Sequence, residues 1–556
     1  MEYALLLSLA TIIVALVAVS SSRRTNKKLL VFLTSSFGQA PPEAEFELDS
    51  VQMYSYYYNR DLAGSHERRV DQITWSDLEM DKVFGRINVC LSSIGEEYLY
   101  NCLHELPLTP ADLEKREGLL EHLETHPEDR LILQTALAKL GKENYNGLAS
   151  FIFNKDKKHL PAAPFVYKIL AAIPVLSAFL LIFNLTAGVL CLIGSFIINL
   201  LVHYGAKGRI EGALPAIRYF SSLLFCCQKL GRLEGLKPFP QWQAVHENYQ
   251  VLKPLAGIAS GASASGSLNE MSFLAEYIRI LFLSEIRNYN KIVQKAMDCQ
   301  REFHNLYRAV GEIDLTQCLL SFRKSLPHFA VPEFHEDNTM AFTDVYHLLL
   351  ASPVTNTGVI NNDSVITGSN ASGKSTFIKA LAINGILAQT LNTCTARSFA
   401  TRFSLVATSM ALRDSLQDGD SYFIIEIKSL KRILDFMGHG PCTCYIDEIL
   451  RGTNTIERIA ASASVLAYVH RQDCLCLVAS HDIELTDILA DTFDNYHFSE
   501  QITDDGIRFD YRLKPGPSAT RNAIKLLSHM DYDKDIIDKA ERLIVHYEES
   551  RTWKTI

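Results

Sequence analysis

The chain has 556 residues, a formal net charge of −9, 21% charged residues and 48% apolar residues. That composition excludes a disordered chain, and a mean hydropathy of +0.05 indicates that apolar residues are concentrated in particular segments. The length exceeds one hydrophobic core and suggests three or four units of about 150 residues, while the acidic balance restricts any nucleic-acid contact to a local patch.

The first predicted element is Tyr3 to Ser20, 18 residues without a charge, followed by Arg23, Arg24, Lys27 and Lys28. It is long enough to cross a hydrocarbon core. Glu2 is the only charge ahead of it, so no basic leader region precedes the run. Residues 1–22 are therefore expected to be a retained transmembrane anchor, with a linker over 23–68. From Arg69 to Lys142, apolar and charged residues recur at helical spacing through "WSDLEMDKVFGRIN" and "ADLEKREGLLEHLETH", which predicts a helical unit over 69–160.

A second apolar block, Phe165 to Val202, is about twice the length of one span. "FNLTAG", Phe183 to Gly188, supplies turn residues at its midpoint, so 161–204 is expected to form a transmembrane hairpin. Lys155, Lys157, Lys158 and Lys168 precede the block, and Lys207 and Arg209 follow it. With the basic residues after the first span, these fall on one side of the membrane. The expectation is three transmembrane helices in the cell membrane, amino terminus outside, with both large soluble parts cytoplasmic.

Residues 205–335 form the second helical part. It contains the small-residue stretch Ala256 to Ser267, "AGIASGASASGS", expected to be a flexible connection. Ile278, Phe282, Ile286, Tyr289, Val293, Met297, Phe303, Tyr307 and Val310 then recur at steps of mostly three or four without proline, which predicts one continuous helix of about 30 residues. Such a helix serves equally as core or as lever. From about Asp363 short apolar runs alternate with helical patterns, the texture of an α/β domain, assigned to 336–556. Of the 12 cysteines, none has C-x-x-C spacing. The pairs Cys442-x-Cys444 and Cys474-x-Cys476 lie in apolar, strand-like runs and read as reduced core thiols.

The chemistry concentrates in that last domain. Gly368-Ser369-Asn370-Ala371-Ser372-Gly373-Lys374-Ser375 matches G-x-x-x-x-G-K-[ST] between the apolar run "SVIT" and a helical pattern. Glycines let backbone N–H groups curl around phosphates, and the helix amino terminus adds partial positive charge. Lys374 is expected to reach the β- and γ-phosphates of ATP, and the Ser375 hydroxyl to ligate Mg²⁺. "CTCYIDEILRGTNT", Cys442 to Thr455, places Asp447 to hold the metal and Glu448 to orient or deprotonate water. A further apolar run, "CLCLVASHDIEL", ends at Ser480-His481, where a histidine is placed to meet the γ-phosphate.

Together these residues resemble the ATPase domain of the MutS mismatch-repair family, within the ABC-type ATPases. "ITGSNASGKSTFIKA", "DSLQDGDSYFIIEI", "YIDEILRGTNT", "ASHDIELTDI" and the later "PGPSATRNAIKLL" carry the resemblance. Upstream, "ITWSDLEMDKVFGRINVCLSSIGEEYLY" and "VGEIDLTQCLLSF" resemble that family's helical core and lever, so the likeness covers most of 70–155 and 270–545. The resemblance implies an α/β P-loop NTPase domain preceded by an all-α core and lever domain, and an ATP hydrolase using Mg²⁺. It implies that Asn370, Lys374, Ser375 and Thr376 bind phosphates and metal. By the same likeness Asp447 holds the metal, Glu448 activates water, and His481 senses the γ-phosphate. Ser421 in "DGDSYF" is similar to the serine donated across a homodimer to the opposite nucleotide.

The departures are specific. Where the family places its mismatch reader, this chain has an anchor and a linker, with no aromatic-plus-glutamate reading motif, and the lever region is interrupted by the hairpin. The resemblance leaves DNA as a candidate partner without residue-level warrant for base reading. The competing expectation is an ABC-type transporter or a membrane-signalling ATPase not acting on DNA. A transporter cassette calls for an "LSGGQ"-like signature, where this chain has "LQDGDSYF".

Overall fold

The computed structural model describes residues 20–41 except 22, 68–106, 110–143, 147–148, 164–210, 214–256, 277–369, 372–410, 422–503 and 506–518, and beyond these 524, 527, 530, 532–550 and 552–555. The predicted anchor at Tyr3–Ser20 and the predicted flexible stretch are outside the described residues, apart from Ser20 and Ala256. The chain divides into two compact units, one comprising 1–66, 84–104 and 110–327, the other 67–83, 105–109 and 328–556.

The helices run, in chain order, α1 (Gln72–Asp77), α2 (Met80–Ile87), α3 (Ser93–His104), α4 (Ala111–Thr125), α5 (Pro127–Leu140), α6 (Pro164–Phe183), α7 (Leu185–Ile210) and α8 (Leu214–Leu230). They continue with α9 (Pro240–Leu252), α10 (Ser284–Asp298), α11 (Gln300–Lys324), α12 (Lys374–Leu391), α13 (Tyr422–Phe436), α14 (Thr455–Val469), α15 (Glu484–Ile488) and α16 (Lys534–Ser550).

The first unit is helical. Its centre is α11, packed against α3, α4 and α9, with α8 on α5. Asp314 of α11 is fully buried and accepts hydrogen bonds from Leu91 N, Ser92 N, the Ser92 hydroxyl and Gln317 Nε2. It thereby fixes the turn into α3, whose cap is Ser92, its hydroxyl accepting from Gly95 N at 3.1 Å. Gly95 makes the approach possible, because a Cβ there would stand 2.2 Å from Asp314 Oδ2. Nearby, Tyr307 donates to Glu97 Oε2 at 2.5 Å, and burial pushes the Glu97 carboxyl up to about 8.

α6 and α7 are long and apolar enough to cross a membrane, and only 22% and 17% of the two spans are buried. They are joined at Asn184, whose side-chain oxygen accepts from Ala187 N at 3.0 Å. A Cβ on Gly188 would stand 2.6 Å from Leu181 N, so glycine is what lets the two legs approach this closely. Ile182, Phe183 and Leu185 at the tip are 75, 85 and 70% exposed. Ser195, Asn199 and His203, four apart on α7, are by contrast buried. Asn199 Nδ2 donates to Leu170 O and to Leu281 O, at 3.2 and 2.7 Å.

The single helix expected from Ile278 onward is interrupted twice. The chain leaves helical geometry at Phe282–Leu283, where Leu283 has φ +48°, and again at Cys299 between α10 and α11. Neither break carries a helix-breaking residue. At the first, the Asn199 amide takes the Leu281 carbonyl, a tertiary contact that replaces an intrahelical bond. The apolar pattern continues across both breaks and conceals them.

The second unit is α/β. Its strands are β1 (Glu333–Phe334), β2 (Met340–Val345), β3 (Asn356–Ile360), β4 (Ser364–Thr367), β5 (Ser398–Thr401), β6 (Leu405–Ser409), β7 (Cys442–Asp447), β8 (Cys474–Ser480), β9 (Asp494–His497), β10 (Glu500–Thr503), β11 (Gly506–Phe509) and β12 (Lys514–Pro515). The main sheet has the order β12-β9-β4-β8-β7-β6, parallel except for β12. β4, β7 and β8 are buried along their whole length, as expected of apolar runs in a parallel sheet covered on both faces. A second sheet, β1-β5-β2-β3, is mixed, and β10 and β11 form a hairpin. The edge strand β6 is covered by α1, where Asp77 accepts from the Thr408 hydroxyl and from Met410 N. Arg432 of α13 clasps Asp71 at the start of α1.

Candidate functional site

The site is built by one edge of the main sheet. β4 pairs with β8 and β8 with β7, all parallel, so Thr367, Ser480 and Asp447 end together. Parallel strands with short exits leave their functional residues at the carboxyl edge, where ligands bind in open α/β sheets.

After β4 the chain turns through Gly368, with φ +143°, and Gly373, with φ +101°. At Gly368 a Cβ would meet Phe498 O at 2.7 Å, so both backbone angle and space require glycine there. Ser372 donates to Ser369 O at 2.7 Å, and the Ser369 hydroxyl to Glu500 Oε2 at 3.0 Å. Lys374, the first residue of α12, is buried and folds back so that Nζ donates to Gly368 O and Ser369 O at 2.6 and 2.8 Å. Burial pulls its ammonium down to about 8, although Glu448, Asp447 and Glu500 act to raise it. Ser375 and Thr376 follow in the first turn of α12. Asn370, Ala371 and Ser421 lie outside the described residues.

At the end of β7, Asp447 is buried, and its Oδ1 has no hydrogen-bond partner among the described residues. Such an orphaned carboxylate oxygen fits a cation ligand. Glu448 leaves the strand with φ +58°, an uncommon conformation for a side chain of this kind. Its carboxylate is gripped from two sides, by His481 Nε2 at 2.7 Å and Arg451 Nε at 2.5 Å. Burial acts to raise its pKa, but the His481 hydrogen bond and the charges of Arg451, His481 and Lys374 outweigh this and hold it below the usual carboxylate range. His481 therefore stands beside Glu448, not apart from it. The next residue, Asp482, is held by Arg458 Nε at 2.9 Å.

Beside the loop is a cavity of about 430 Å³, lined among others by His347, Asn356, Gly373, Ser375, Thr376 and Tyr511. Burial pulls the His347 imidazole down to about 4, which leaves a neutral ring on the wall. Asn356 braces the opposite side through Tyr511 O and Leu513 N, at 3.0 and 2.8 Å. No motif marks His347, Asn356, Tyr511 or Glu500. They come from separate strands and turns that only the fold brings to the loop.

A glycine-turned loop opening a helix, beside an acidic strand end on a parallel sheet, defines an ATPase-type α/β domain of the P-loop class. Residues 364–548 match the family model for MutS domain V. The chain is 32% identical over 185 residues to the DNA mismatch repair protein MutS of Natronomonas pharaonis, a match covering 33% of this chain and 22% of that protein. It is 30% identical over 193 residues to the DNA mismatch repair protein MutS 2 of Haloarcula marismortui, 34% of this chain and 20% of the relative. With the DNA mismatch repair protein MutS of Listeria monocytogenes the match extends to 279 residues at 25% identity, 48% of this chain and 32% of the relative. The chain thus matches between a fifth and a third of the length of these relatives.

Proposed function

We propose that this chain is a membrane-anchored ATPase of the MutS type, which binds and hydrolyses ATP at a composite site in a homodimer and couples turnover to movement of its helical unit. The observation that carries the reading is the convergence, at one sheet edge, of a buried lysine nested in a phosphate loop, a buried carboxylate oxygen lacking a partner, and a glutamate held ionised. Lys374 would exchange the loop carbonyls for β- and γ-phosphate oxygens. Ser375 and Asp447 would hold Mg²⁺, which would supply charge neutralisation to the bound phosphates. Glu448, released by His481 and Arg451 when phosphate draws those side chains away, would accept the proton of the attacking water. The adjoining cavity, in the size range of small-ligand pockets, suits the base and sugar. Ser421 would serve the opposite nucleotide across the dimer. The proposed domain limits are an anchor at 1–22, helical parts at 69–160 and 205–335, a hairpin at 161–204 and the ATPase at 336–556.

The relatives are named for DNA mismatch repair, and DNA near the membrane is the proposed load. The test is ATP turnover of the detergent-extracted full chain, with and without duplex, mismatched and branched DNA. Stimulation by DNA that weakens steeply with salt supports that load. Turnover indifferent to every DNA, with no binding at low salt, moves the function to membrane signalling or transport, a reading favoured by the exposed apolar surface of α6 and α7. Absence of turnover with Mg²⁺ removes the enzyme.

A further inference from the structure

The main sheet carries a second cluster of ligating atoms at the edge away from the nucleotide loop. In register, Cys442 of β7 stands beside Cys474 of β8, and Cys444 beside Cys476. Residues two apart on a strand share a face, so all four thiols point to the same side, where they belong to one buried apolar cluster. Cys444 Sγ lies 3.5 Å from Cys442 Sγ and 3.3 Å from Cys474 Sγ, and the three sulfurs are all within 4.8 Å of one another. We propose that Cys442, Cys444 and Cys474 form a binding site for a thiophilic divalent cation such as zinc.

Several features favour an ion over bare packing. Zinc–sulfur bonds of about 2.3 Å in a tetrahedron set sulfurs roughly 3.8 Å apart, so Cys442 and Cys474 each need to move from Cys444 by only a few tenths of an ångström. Soft thiolate sets select zinc and copper(I) over magnesium or calcium, so the site does not compete for the Mg²⁺ proposed at Asp447. On binding, three thiols lose three protons to solvent and one divalent ion gains three sulfur bonds, without change of oxidation state.

The ion would staple β7 to β8 at the end opposite Asp447 and Ser480, a structural site and not a catalytic one. The test uses the reduced, chelator-treated full chain titrated with CdCl₂ and, separately, ZnCl₂. The expected result is one tightly held ion per chain, an ultraviolet cadmium–thiolate charge-transfer band, release of about three protons per ion in weak buffer, and a raised thermal midpoint. Cys444→Ala and Cys474→Ala should each abolish the band and weaken binding at least tenfold. Cys226→Ala, a buried thiol of the helical unit, should leave both unchanged. Failure of the unsubstituted chain to take up either ion overturns the proposal whatever the variants do, and so does an undiminished band in Cys444→Ala. ATP turnover does not enter either outcome.

Discussion

At the scale of single residues, Glu448 and Lys374 occupy opposite positions in the electrostatics of the site. Glu448 is ionised and held by His481 and Arg451. Glu448→Gln keeps the shape and removes the proton acceptor, so ATP turnover should fall by roughly 10²- to 10⁴-fold while nucleotide stays bound. Single-turnover hydrolysis with radiolabelled ATP reads this, and unchanged turnover would take Glu448 out of the catalytic role. Lys374 is instead strained toward neutrality, with its ammonium pulled down to about 8. Below pH 8 the free loop already holds the charged form that polyphosphate needs. Above it the lysine must first gain a proton. ATP affinity should therefore fall as pH rises past 8, by up to about tenfold per unit, with net proton uptake on binding. Calorimetry at pH 8.5 in buffers of different ionisation heat measures the uptake directly. Zero uptake would mean that this lysine does not bear the phosphate charge.

At the scale of elements, motifs at strand ends were the legible part of the sequence. Each of the runs before Thr367, Asp447 and Ser480 is apolar and ends on a polar residue, as a buried parallel strand must. Their lateral order was not legible, because pairing is decided by which helices cover which face. β8 lies between β4 and β7, so the phosphate loop and the acidic strand end are not on adjacent strands. The cavity wall at His347, Asn356 and Tyr511 escaped for the same reason. The breaks at Leu283 and Cys299 escaped because periodicity reports which face is apolar, not whether the backbone is continuous. The Asp314 carboxylate that holds the turn before α3 shows the same dependence on tertiary placement. Gly95→Ala would put a methyl carbon 2.2 Å from Asp314 Oδ2. Asp314 has no free direction in which to retreat, since Leu91, Ser92 and Gln317 hold its carboxylate. The substitution should cost about 1–3 kcal/mol, the usual range for overpacking, seen as a lower thermal midpoint of the full chain. An unchanged midpoint would show that the helix pair yields at little cost.

At the scale of the whole molecule, the distribution of polarity on α6 and α7 bears on where the chain resides. The buried polar side chains Ser195, Asn199 and His203 lie four residues apart on α7, while Leu190, Ile193, Ile197 and Leu201 are exposed. A soluble helix pair would carry the reverse pattern, and a pair in lipid places polar groups inward. Residues 1–22 are the other proposed anchor, so deleting them tests the hairpin separately. The shortened chain should remain in the membrane pellet after alkaline carbonate extraction, because two spans of mean hydropathy 2.2 and 2.3 remain. Leu190→Arg in that shortened chain places a charge on the outward face within the span, at a cost of roughly 2.5–3.5 kcal/mol at a helix centre. It should shift a measurable fraction to the supernatant, whereas Leu190→Phe should not. Complete release of the shortened chain before any further substitution would mean that the exposed face of α6 and α7 is covered by protein and not by lipid.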